Sequence, residues 1–172
     1  MAREECASGQ QRSHIVNAVN DIEVSRISKI FEHLVTEGFR PEMASETSVK
    51  VKYQGCTLYG DIDEKDKSFY SIVCAYIWEI ESEQELLSAY KAASNTAMSM
   101  KATKAFVTRD EKNVWTVMEQ LFSEVEQFLP TVVRGLDIVA NSRRNFCDDM
   151  RKLMANDEAV TVAPSAPALL LN

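Results

Sequence analysis

Histidine is nearly missing: His14 and His33 are the only two in 172 residues. They show no metal-ligand spacing and no HExxH pattern, so no histidine metal centre is written in this chain. His33 falls between Glu32 and Leu34, away from the apolar stripe of its helix, and is expected at the surface. Glycine is scarce as well, at five residues, and no Gly-x-Ser-x-Gly elbow occurs. Gly55 and Gly60 keep the four-residue gap of a phosphate-binding loop, but Asp61 stands where the lysine must be. A carboxylate there repels the phosphate that such a loop cradles. Asp61-Ile62-Asp63 opens like a calcium loop, yet Lys65 takes a ligand position, Asp66 replaces the glycine and Ile72 replaces the bidentate glutamate. A solvated turn is the expectation.

The four cysteines (Cys6, Cys56, Cys74, Cys147) form no CxxC pair, and none has a histidine at readable spacing. No apolar run approaches membrane-spanning length, and the first residues, with Arg3, Glu4 and Glu5, lack the apolar core of an export signal. These absences predict a cytoplasmic protein with reduced thiols, Cys74 being a small core residue inside an apolar strand. A positive balance is missing too. The net charge is −7, and phosphate backbones repel such a surface, so neither nucleic acid nor membrane is expected as a partner. Arg143, Arg144, Arg151 and Lys152 alternate with Asp148 and Asp149 and read as a solvated helix face. The 26 carboxylates mark no catalytic pair, and neither an enzyme nor a cofactor is expected. Met98, Met100, Met118, Met150 and Met154 are irregularly spaced and read as core filling or surface.

What remains is ordinary globular material, 45% hydrophobic and 26% charged, in a length that suits one core. A first helix is predicted from Asn20 or Asp21, with Asn20 and Glu23 as a capping box. Ile27, Ile30, Phe31 and Leu34 recur at helical spacing, and Gly38 followed by Pro41 ends the run. Val49, Val51 and Tyr53 then alternate with polar residues, Gln54-Gly55 turns the chain, and Cys56, Leu58 and Ile62 continue the period of two. A third strand spans roughly Ser68 to Ile80. Ser82 with Glu85 caps a second helix running toward Met98, and a hairpin follows around Asp110-Glu111-Lys112. Ser123 with Glu126 opens a last helix to about Met154, with Pro130 predicting a kink or a start nearer Leu129. The expected order is α-β-β-β-α-β-β-α, an α+β fold with a five-stranded antiparallel sheet and the end helices on one face. Residues 1–19 are expected as an N-terminal arm, 20–155 as one domain and 156–172 as a mobile tail ending in Leu169-Leu170-Leu171.

The third strand stands apart. Tyr70, Ile72, Cys74, Tyr76 and Trp78 hold its even positions, and Phe69, Val73, Ala75 and Ile77 its odd ones. A strand apolar on both faces is covered on both. With the end helices on one face, Tyr70, Tyr76 and Trp78, or their odd-numbered neighbours, need a second cover. That cover is either another part of this chain or a partner, and an uncovered aromatic patch marks an interaction site.

Three segments together resemble the YbjN-like family: Tyr53-Gln54-Gly55-Cys56-Thr57-Leu58-Tyr59-Gly60-Asp61, the strand Phe69 to Trp78, and Tyr90-Lys91-Ala92-Ala93-Ser94-Asn95 leading into Lys104-Ala105-Phe106-Val107. Asn95 and Lys104 match the family's helix asparagine and strand lysine, and Phe128-Leu129-Pro130 resembles its closing segment. The likeness spans roughly 22–150. It implies a fold similar to type III secretion chaperones, often dimeric, in bacterial proteins described as sensory transduction regulators, with no agreed catalytic residues. The expected function is a non-enzymatic protein-binding module, chaperone-like or regulatory and a homodimer, that buries an apolar segment of a protein client. A small-molecule-responsive sensor domain is the alternative.

Overall fold

The computed structural model describes residues 26–162, with side chains to 156. The capping box at Asn20, the N-terminal arm and the end of the tail lie outside the described residues. Helix α1 occupies 26–36. It stops where Gly38 takes a left-handed backbone (φ 88°). There Phe39 N–H donates to Leu34 O and Gly38 N–H to Val35 O, the paired bonds of a Schellman end.

The sheet follows: β1 (Glu42–Met43), β2 (Ser48–Tyr53), β3 (Cys56–Ile62), β4 (Phe69–Glu79), then α2 (Glu83–Ser99), β5 (Thr103–Val107), β6 (Asn113–Leu121) and α3 (Val125–Val162). All strand pairs are antiparallel, in the order β1-β2-β3-β4-β6-β5. The sheet therefore has six strands where the sequence predicts five. The added strand is two residues long, too short to show alternation, and it pairs Glu42 with Lys50 and Met43 with Val49. Between β2 and β3, Gln54 (φ 46°) and Gly55 (φ 79°) both adopt positive φ, the geometry of a type I′ hairpin. In the next turn Asp63 Oδ1 accepts from the amides of Lys65 and Asp66, which shapes the solvated loop and holds the carboxyl below its ordinary range.

Ser82 caps α2 by accepting from Glu85 N–H, but the Glu85 carboxylate reaches back to Glu81 N–H rather than to the cap itself. The box expected at Ser123 and Glu126 is replaced by a tertiary contact: α3 begins at Val125, and Glu126 pairs with Lys29 of α1 at 2.6 Å. Pro130 lies inside α3, not at its start, and the helix continues to Val162, past the end predicted near Met154.

All three helices lie on one face. Val49, Val51, Leu58, Ile62, Tyr70, Ile72, Val114 and Met118 point into that layer and are buried. At its centre α3 approaches closely enough that a Cβ on Gly135 would stand 2.6 Å from Ile72 Cδ1. Ser142 of α3 accepts from Thr116 and Thr103 at 2.8 and 3.2 Å, so the polar groups under the sheet are paired with one another.

Candidate functional site

The opposite face of the sheet has no helix on it among the described residues, and its centre is built by an irregularity in β4. Pairing with β6 runs regularly to Cys74↔Thr116 and resumes at Trp78↔Val114. β4 thus spends four residue steps where β6 spends two, and the excess is absorbed at Tyr76, whose φ is 54°. A non-glycine residue in the left-handed region costs about 1–2 kcal/mol, and such strain gathers at working surfaces. The bulge swings Tyr76 outward to 71% exposure, with its ring edge-on to Trp115 at 5.4 Å. Phe106 pairs across β5 and β6 with Trp115, their ring centroids 6.4 Å apart. Three aromatic rings from three adjacent strands therefore form one patch on the uncovered face.

Of the three aromatic residues predicted for a partner surface, only Tyr76 lies on the uncovered face. Tyr70 is in the core, 1% exposed, its ring 4.3 Å from that of Phe128 and its hydroxyl over Gly60. Burial raises its pKa above the ordinary phenol range. Trp78 pairs with fully buried Val114 and packs half-buried against the core. Phe106 and Trp115 replace them in the patch. Their signal was the hairpin at Asp110-Glu111-Lys112, whose register sets the two rings opposite each other.

Around the patch the register lays out two rows. Lys50, Tyr59, Val73, Val117 and Lys104 form one across β2 to β5, and Ser48, Asp61, Ser71 and Glu119 the next. Lys104, one of the two family-matching positions, pairs with Glu119 at 2.6 Å on this face. Asn95, the other, lies exposed on α2, its carbonyl accepting from Ser99 Oγ.

Beside the bulge the sheet parts. The β3–β4 ladder ends at Tyr59↔Val73, leaving Cys56 to Leu58 without a partner on β4. The gap opens into a cavity of about 590 Å³ between Gly55–Thr57 and Cys74–Ile77, walled also by Tyr59, Asp61, Val73 and Trp115. Arg143 of α3 reaches it from the helix side. The sequence reading put Arg143 on a solvated helix face. Instead it shares a side of α3 with buried Val139, Ser142 and Phe146, whereas Arg151 and Lys152 do pair with Asp148 and Asp149 in solvent.

Three free thiols gather here. Cys56 donates to Tyr53 O at 3.0 Å and Cys147 donates to Ile77 O, with Cys74 between them in β4. Burial first, and then Cys56, push the Cys74 thiol up to about 12, while Arg143 pulls the other way. Burial also raises Cys147. Such thiols are inert as nucleophiles. The Trp115 indole N–H is buried with no acceptor among the described residues. No group of three or more metal-binding side chains occurs among the described residues, and no helix there is long and apolar enough to cross a membrane.

An α+β layer with an antiparallel sheet covered on one side by its helices is the architecture of YbjN-like folds, and this chain has a YbjN-like fold. It is similar to the crystal structure of YbjN from E. coli, described as a candidate transcription regulator, at a TM-score of 0.50 and 13% identity over 77% of this chain and 93% of that one. An uncharacterized protein from Methanothermobacter thermautotrophicus matches at 13% identity and a TM-score of 0.45, over 76% of this chain and 98% of that one. No family model and no curated protein matches the sequence. At this level of identity the likeness concerns the fold.

Proposed function

We propose that this protein is a small, non-enzymatic binding module of the cytoplasm, regulatory or chaperone-like. In this reading it buries an apolar segment of a protein client on the open face of its sheet. The observation that carries this is Tyr76, held 71% exposed by a left-handed backbone inside a strand and set against Trp115 and Phe106. Rigid aromatic rings anchor interfaces well because they bury large areas at little cost in rotamer freedom. A chain of net charge −7 favours clients with basic flanks. The module acts as a homodimer, which sedimentation of the purified chain reads directly.

The test is crosslinked copurification at native expression, run in parallel with wild type and with a Tyr76→Ser, Phe106→Ser double variant. One partner is expected at fixed stoichiometry with wild type and lost from the variant, whose thermal melting stays unchanged. The same partners recovered with both proteins would sink the reading. A second reading, a small-molecule-responsive sensor, is favoured by one observation, the cavity between β3 and β4.

A further inference from the structure

We propose that the gap between β3 and β4 is a binding site for a small organic anion with a flat apolar body, an aromatic carboxylate, whose charged group is held by Arg143. This rests on the sensor reading and assigns its ligand class. The volume, about 590 Å³, falls within the range of small-molecule sites, roughly 300–1,000 Å³. Its walls supply what a flat ring packs against: Tyr76 and Trp115 in edge-on contact at one side, Tyr59 and Val73 at the other.

The choice of an anion comes from Arg143. Arg143 lines the cavity and is half-buried, and among the described residues no carboxylate pairs with it. A partly desolvated cation without a counter-ion is unfavourable, and a bidentate carboxylate is the group that its planar fork fits. The lining carries two charged side chains, Arg143 and Asp61. Among the described residues no ion pair joins Asp61 to Arg143, and burial holds the Asp61 carboxyl above its ordinary range.

The experiment titrates the full chain calorimetrically with 2-naphthoate and with 2-naphthalenemethanol, its neutral counterpart. Saturable one-to-one binding of the acid is expected, at least tenfold tighter than the alcohol, and Arg143→Gln should erase that preference. Ala75→Leu, which fills the cavity from its wall without touching Arg143, should weaken both probes and stands in if Arg143→Gln does not fold. Phe106→Ser lies on the client face and outside the cavity lining, so it should leave naphthoate binding intact while removing a client; this separates the two readings. The proposal is overturned if naphthoate does not saturate the protein by millimolar concentration. It is equally overturned if Arg143→Gln binds naphthoate as wild type does, or if Phe106→Ser weakens it as much as Arg143→Gln.

Discussion

The two faces of this sheet are made by the same strands and obey different rules. On the helix side, Val49, Leu58, Tyr70, Ile72 and Val114 meet α1 and α3 at or near zero exposure, and even the hydroxyls of Thr116 and Ser142 are paired. On the other side, Tyr76 and Leu121 stand 71% and 67% exposed, a strand bulges, and beside the bulge the sheet opens into a cavity. The first face pairs most of its polar groups within the chain, the buried Thr96 hydroxyl of α2 being an exception, and sets the stability. The second leaves groups unsatisfied, and an unsatisfied, strained surface is informative about what it meets.

Substitutions break or sharpen that contrast. The largest effect belongs to Gly60→Ala on the covered face. Its new Cβ would stand 2.0 Å from the Tyr70 hydroxyl and 3.3 Å from Val49 Cγ2, and Tyr70 is wedged against Phe128 with no room to retreat. A loss of about 2–3 kcal/mol in chemical denaturation is expected. Adding Tyr70→Phe, which removes the clashing oxygen, should recover part of it; a double variant no better than Gly60→Ala would show that the ring, not the hydroxyl, sets the limit.

On the open face, Tyr76→Gly relieves the left-handed strain and forfeits the ring contact with Trp115, two terms of similar size and opposite sign. Stability should stay within about 1 kcal/mol of wild type. A loss as large as that from Gly60→Ala would erase the distinction between the faces.

Asp61 gives the smallest effect and a pH signature. Burial holds its carboxyl above the ordinary value of 3.8, against a smaller opposing pull from the Ser48 hydroxyl. The folded chain therefore binds this proton more tightly than the unfolded one. Its unfavourable contribution is absent below the unfolded value and grows as pH rises through the raised folded value. Screened by solvent at this part-exposed site, the effect is small: Asp61→Asn should be more stable than wild type by at most about 0.5 kcal/mol at neutral pH and equal to it near pH 3, read from urea midpoints across that range. A gain that instead grows toward acid pH would reverse the assigned sign.

Local grammar made most of the covered face legible. Gly38 and Ser82 mark helix ends by backbone chemistry that depends on near neighbours alone, and the alternation of Val49, Val51 and Tyr53 can face inward in only one register. What escaped lies where distant segments decide. Tyr76 carries no glycine to announce its left-handed backbone, so the alternation from Tyr70 to Trp78 reads as one uninterrupted strand. Arg143 looks like its neighbours Arg144 and Arg151 until the helix is set on the sheet. The cavity draws its walls from β3, β4, β6 and α3, a combination that no local pattern records.

The early end of the β3–β4 ladder also makes the sheet two leaves rather than one plate. β1, β2 and β3 form one leaf and β4, β6 and β5 the other, stitched by four rungs from Tyr59↔Val73 to Ile62↔Tyr70. A shearing load across the molecule concentrates in that short seam. Its amides are what joins the two leaves, and whatever occupies the gap beside it acts as a splint.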